Sequence, residues 1–186
     1  MAQMREHSLV REHVPETLPH VSSFAFTKKA FQKGLWDEVT QRARGLHVNN
    51  RTGTVIARAY DKFFNIGERE ETTLESLLDG GGLSFPVRAF VKENGYLGIV
   101  GYDDERDDLY VSSKSRPEGW FSDRLWEILW SETDERTREV MRRRLRDEET
   151  CLTFEVNDPV HDPHMIEYDR PHLVLLNVVR RATEFE

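Results

Sequence analysis

The stretch from residue 121 to 149 constrains the fold most, because its apolar period is helical while that of its flanks is not. Leu125, Trp126, Ile128, Leu129 and Trp130 mark one helical face, and SETDERTREVMRRRLRDEE continues as a charged helix after a break near Ser131. Strand character precedes this segment and returns in CLTFEV and HLVLLNVV. Strands, a helical insert and further strands predict an α+β domain built on antiparallel sheets.

Ahead of the insert, VTQRARGLHVNN and TGTVIARAYDKFF read as two strands, with turn chemistry at Asn49-Asn50 and Thr52-Gly53. FTKKAFQKGLW holds a helical turn before Gly34. TTLESLL fits a short helix that starts at a Thr cap and stops before the glycine run 80–82. Strands are expected near 85–92, 96–102 and 107–113, the last two separated by the acidic turn DDERDD. Residues 1–22 are polar and interrupted by Pro15 and Pro19, so they read as an extended or helical arm before a domain spanning 23–186.

Composition narrows the function classes. A chain of 186 residues can form one domain with a real core, or an incomplete piece of a larger one. Its 38% hydrophobic and 32% charged residues describe a soluble globular protein with a charged surface. No apolar stretch approaches the roughly 18 residues of a membrane span. The charged start, MAQMREHSLVREHVPE, lacks the apolar core of a signal peptide, so the expected compartment is the cytoplasm and no membrane partner is expected. Cys151 is the single cysteine, which excludes an internal disulfide and a cysteine-based zinc cage; beside Leu152 it reads as a buried small hydrophobe. A net charge of −8 argues against nonspecific coating of nucleic acid. It leaves room for an enzyme whose basic residues converge on one groove, because the local field steers a phosphate ligand.

FVKENGYLGIV, residues 90–100, places a charged pair against Asn94-Gly95. Read locally, this is a type I′ hairpin turn with Lys92 and Glu93 solvating it. The wider pattern offers a second reading. KENG at 92–95 resembles the K-x-[DN]-G nucleophile motif of ATP-dependent polynucleotide ligases. ARGL (43–46) followed by YDKFFNIGE (60–68) resembles the upstream segment of phage-type RNA-repair ligases and of the ligase domain of fungal tRNA ligases. LYVSSKS (109–115), LTFEV (152–156) and IEYDRPHLVLLNVVRR (166–181) resemble the later motifs of that superfamily in its order, so the resemblance covers roughly residues 40–181.

The resemblance implies a nucleotidyltransferase domain of the ATP-grasp-like ligase type, ATP and Mg2+ as cofactors, and RNA with 5′-phosphate and 3′-hydroxyl ends as partner. A DNA substrate is less favoured, because DKFFNIGE resembles the RNA-joining branch. Lys92 is the implied nucleophile, attacking the α-phosphate of ATP to form lysyl-AMP; such an amine must be neutral, although a free lysine titrates near about 10.4. The resemblance also implies nucleotide contacts from Glu93, Asn94 and Gly95, with Gly95 letting the backbone come close to the nucleotide. Arg44 and Lys114 are expected to meet phosphates, and Lys62 and Phe64 to stand near the triphosphate and the pocket wall. Glu155 is expected to accept a ribose hydroxyl or help hold the metal. Its alternation with Phe154 and Val156 puts it on the opposite face of its strand.

Three other signals read as structure. HDPH, with His161, Asp162 and His164, has metal-ligating residue types but reads as a polar loop. MRRRLR (141–146) reads as a salt-bridged helix face, and DGGGLS lacks the Lys-Ser/Thr ending of a P-loop and reads as a connection. The family pattern continues past LLNVV with an E-G motif and a K-x-K strand, neither of which lies before Glu186. The expectation is therefore a C-terminally incomplete domain: a fragment, a site completed by a protein partner, or a homologue keeping the fold without the reaction. An open sheet edge further predicts oligomerisation. The alternative to an RNA ligase is a noncatalytic nucleotide- or RNA-binding subunit.

Overall fold

The structure, a computed structural model, describes residues 2–79, 83–163 and 166–184. The glycine run 80–82 and His164 lie outside the described residues. Two four-stranded antiparallel sheets form the domain, so the α+β expectation holds. The first contains β1 (Val10–His13), β2 (Val21–Phe26), β3 (Leu46–Asn49) and β4 (Val55–Ala57) in that order. The second has the order β6-β5-β7-β8, from β5 (Tyr96–Asp103), β6 (Asp108–Ser113), β7 (Thr150–Asn157) and β8 (His172–Arg180). Helices are α1 (Ala2–Glu6), α2 (Lys28–Lys33), α3 (Glu38–Arg42), α4 (Leu74–Asp79), α5 (Trp120–Glu132) and α6 (Glu135–Asp147). Among the described residues no helix is long and apolar enough to cross a membrane.

The alternation of β5 and β7 sorts their side chains into two cores. Val100, Tyr102, Phe154 and Val156 face the helical insert and meet Leu125, Ile128, Leu129 and Leu145. Ile99 and Cys151 face the other way, into a layer with Val21, Ile56 and Ala57 of the first sheet and Ala59 just beyond it. The two sheets approach closely at Gly101, where a Cβ would stand 2.3 Å from the Ile56 carbonyl oxygen. Cys151 is buried as expected; its thiol donates to the Arg58 carbonyl at 3.1 Å, and burial pushes its pKa up to about 11.

The insert forms as its period predicts, with the break between Glu132 and Glu135 filled by the Asp134 N-cap, which accepts from the Thr137 N–H at 2.7 Å. Arg142 and Arg146 are engaged by Glu139, Asp107 and Asp147, which makes MRRRLR an ion-paired face. Thr73 caps α4 by accepting from the Ser76 N–H.

Three local expectations are corrected. Residues 39–42 belong to α3, not a strand, because Asp37 and Thr40 form a reciprocal capping box. The strand expected over 52–64 is only Val55–Ala57, and the chain then runs irregularly through Phe64. No strand forms over 85–92 and no hairpin closes at Asn94-Gly95. β5 already has β6 on one side and β7 on the other, so no ladder position is left, and Phe90 is 85% exposed. The first 22 residues supply α1 and β1, and β1 pairs with β2 over Val10–His13.

Candidate active site

Where the layer between the sheets opens to solvent, a cavity of about 530 Å³ is lined by Arg44, Tyr60, Phe63, Lys92, Gly95, Tyr96, Leu97, Lys114, Phe121, Glu155 and Leu176, with Ser113 and Ser115. This size suits a nucleotide-sized ligand. The cationic groups come from three separate stretches of chain, facing one carboxylate from β7.

Gly45 fixes the approach of Arg44. It follows the end of α3 at φ +64°, and a Cβ there would stand 2.7 Å from Ile99 Cδ1 and 2.9 Å from Ala59 Cβ, so the bend both needs and is filled by glycine. Arg44 Nη1 donates to the Tyr60 carbonyl at 3.0 Å, and its guanidinium lies 5.4 Å from the Phe63 ring centroid. Burial holds its pKa below the ordinary value, partly offset by the charges of Glu155 and Asp61. Lys114 follows β6 at the rim. Desolvation, then the Arg44 charge, lowers its pKa.

Glu155 takes the face its alternation predicts. Phe154 and Val156 join the helix-side core, while Glu155 pairs across the ladder with Leu97 and lines the cavity with it. Its Oε1 accepts from the Gly95 N–H at 2.9 Å. Gly95 is required here for a reason different from the expected one: a Cβ would stand 2.1 Å from the Val156 carbonyl oxygen, so the close approach is to β7. Glu155 thus holds the end of the KENG segment against the sheet.

Lys92 lies three residues ahead of that anchor, exposed, with Nζ donating to the Glu93 carbonyl at 3.3 Å. Glu93 and Asn94 are not among the lining residues. Both are tied to Tyr168, whose hydroxyl donates to Glu93 Oε2 at 2.9 Å and accepts from the Asn94 N–H at 3.0 Å. Lys62 and Phe64 are also set apart from the cavity: Lys62 Nζ stands 3.9 Å from the Phe64 ring centroid and 3.7 Å from Glu68, and Phe64 packs against Trp36. Phe63, its neighbour, is the aromatic on the wall.

Sequence reasoning did not select Tyr60, Phe63, Tyr96, Leu97, Phe121 or Leu176 for the site. Leu97 and Leu176 lie on strands and read as core; Tyr60 and Phe63 belong to an irregular segment whose facing no periodicity reveals. Of the HDPH segment, His164 lies outside the described residues; His161 Nδ1 bonds Asp158 at 3.1 Å, and no cluster of three metal-ligating residues occurs among the described residues. Magnesium commonly takes one or two carboxylates, with phosphate oxygens and waters completing its shell. Glu155, with its second oxygen left over from the Gly95 contact, fits that role.

A cleft that gathers cations and one carboxylate beside aromatic and aliphatic walls belongs to a class of proteins able to hold an anionic ligand with a planar apolar part. The chain belongs to the RNA ligase family: the family model, described as RNA ligase, matches residues 42–186. RNA ligation is thereby indicated at the level of the family, with RNA as the substrate class. No curated protein matches the sequence.

Proposed function

We propose that the protein is an ATP-dependent RNA ligase of the RNA-repair or tRNA-splicing type, using Lys92 as nucleophile. The carrying observation is the cavity that brings Arg44, Lys92, Lys114 and Glu155 together from four parts of the chain. The adenine and ribose lie among Tyr60, Phe63, Tyr96, Leu97 and Leu176, and Arg44 and Lys114 draw the phosphates toward Lys92. The Lys92 amine, having released a proton to solvent, attacks the α-phosphorus. An N–P bond forms, and the P–O bond to pyrophosphate breaks with its electron pair leaving on pyrophosphate. An RNA 5′-phosphate oxygen then takes AMP from Lys92, and a 3′-hydroxyl attacks the activated 5′-phosphate and expels AMP. Magnesium, when bound, neutralises charge on phosphate oxygens, and Glu155 is the residue that would hold it.

The arginine and lysine contribute electrostatic stabilisation, because their charges are fixed before the phosphates arrive. Glu155 acts a second time through Gly95, setting where the Lys92 segment leaves the sheet. The test is the intact mass of the denatured protein after incubation with ATP and magnesium, beside Lys92→Ala. A gain of one AMP in the native protein and none in the variant is expected. No gain in either would overturn the ligase reading and leave a nucleotide- or RNA-binding subunit.

A further inference from the structure

A second groove, of about 500 Å³, runs from the cavity across the first sheet and shares Arg44, Lys114 and Ser115 with it. Its other walls are Arg11 and Ala25, register partners in β1 and β2, together with Phe26, Lys28 and Phe31. Among the described residues no carboxylate lines it, although the whole chain carries a net charge of −8. Neither Arg11 nor Lys28 is ion-paired among the described residues. Phe31 is 62% exposed and stacks nearly parallel to Phe26, at 6.3 Å and 11°. Trp36 braces both rings edge-on, at 5.0 Å from Phe26 and 6.4 Å from Phe31.

We propose that this groove carries a single strand of RNA into the cavity, with Arg11, Lys28 and Lys114 along its phosphates and a base stacked on Phe31. The inference rests on the family-level reading of RNA as substrate, and extends it to residues ahead of position 42, where the family match begins. Cations without an intervening carboxylate follow a polyphosphate backbone, and an exposed braced aromatic accepts any base face, so the recognition is tolerant of sequence. A duplex has no unstacked base to offer Phe31, which makes a single strand the better occupant.

The test uses fluorescence anisotropy with a 5′-phosphorylated single-stranded RNA over a range of salt, on the whole chain. Arg11→Gln with Lys28→Gln is expected to weaken binding about tenfold and to reduce the log-affinity against log-salt slope by about 1.4, two phosphate contacts at roughly 0.7 each. Phe31→Ala weakens it at least about fivefold. Arg144→Gln, on the exposed side of α6, leaves both readouts unchanged. AMP capture on Lys92, which needs no RNA, is measured in parallel on the native protein and on Arg144→Gln, where it is expected to be equal; absence of capture in the native protein overturns the ligase mechanism and not the groove. Equal affinity and slope in the Arg11 and Lys28 variant, no RNA binding by the native protein at low salt, or a silent Phe31→Ala with displacement by polyglutamate would each overturn the groove.

Discussion

Replacing Gly95 by alanine tests the link between the fold and Lys92, the proposed nucleophile. The added Cβ would stand 2.1 Å from the Val156 carbonyl oxygen, 2.5 Å from Asn157 Oδ1 and 2.8 Å from the Val156 carbonyl carbon. Ordinary contact begins at 3.4 Å, so the two backbones must part by about 1.3 Å (3.4 − 2.1). Such a movement breaks the 2.9 Å bond from the Gly95 N–H to Glu155. Residues 87–94 are in no ladder, so the lowest-cost relief is to lift this segment off β7. The lost charge-assisted bond and residual overpacking then cost about 2–3 kcal/mol, a fall of roughly 4–12 °C in Tm for a chain of this size. The effect on chemistry is larger, since about 1 Å of misplacement can cost on the order of 100-fold in rate. The assay pairs thermal melting with the rate of AMP capture measured by mass. Gly98→Ala is the control: its Cβ would meet Leu125 Cδ2 at 2.7 Å and Val156 Cγ2 at 2.8 Å, side-chain ends that can turn aside. It is expected to lose about 1–3 kcal/mol and keep its capture rate. Equal rates for Gly95→Ala and the native protein, or parallel losses in both variants, would refute the positional argument.

Phe63→Ala is expected to weaken ATP binding several-fold with little change in Tm, whereas Phe64→Ala, which removes the contact with Trp36, lowers Tm and leaves ATP affinity near native; calorimetric titration with scanning calorimetry separates them. Stability should fall on acidification through His47. Burial lowers its folded pKa to about 3, so between about 6.5 and 3 the unfolded chain binds the proton and the folded one does not. Urea unfolding should lose up to about 1.4 kcal/mol per pH unit across that window, and His47→Asn should flatten the slope; an unchanged slope counts against it. The open side of β8 exposes Leu175 and Val178, so sedimentation is expected to show concentration-dependent association that Val178→Lys suppresses; a monomer at every concentration rejects this.

The elements legible in the sequence were those whose burial is one-sided and periodic. α5 shows its core face as Leu125, Ile128 and Leu129, and β7 alternates so that Glu155 stands apart from Phe154 and Val156. The illegible elements depend on partners distant in the chain. Phe85, Val87, Phe90 and Val91 have the composition of a strand, but strand formation needs a free neighbour, and β5 has none. The β-branched Val39 and Thr40 suggest extension, while the Asp37 and Thr40 side chains close a helical cap. For the site, motif order singled out Arg44, Lys62, Phe64, Lys92, Glu93, Asn94, Gly95, Lys114 and Glu155; of these, Arg44, Lys92, Gly95, Lys114 and Glu155 line the cavity and the other four do not. Choosing Phe64 over Phe63 failed as a placement on the wall because the segment after β4 is irregular, and neither period 2 nor 3.6 tells which ring turns inward.

The charge distribution reconciles an acidic chain with an anionic substrate. With 34 acidic against 26 basic Lys and Arg side chains, the average surface repels RNA. Many of the cations elsewhere are already matched: Arg5 by Glu12, Arg51 by Glu105, Arg124 by Glu127 and Asp158, and Arg142 by Glu139 and Asp107. Along the cavity and its adjoining groove, Arg11, Lys28, Arg44, Lys92 and Lys114 stand against Glu155 alone among the lining residues. Low-dielectric walls of Phe26, Phe63, Tyr96 and Leu97 concentrate that local field, whereas a neutralised surface lets it decay within about 8–10 Å at physiological salt. An acidic body therefore serves the same end as a basic cleft: RNA is discouraged from lying anywhere else, and an end that reaches the cleft meets the cations beside Lys92. Neutralising surface acids far from the cleft should consequently raise nonspecific RNA binding without raising the rate at which AMP passes from Lys92 to an RNA 5′-phosphate, whereas a parallel rise in both would refute a role for the local cleft field.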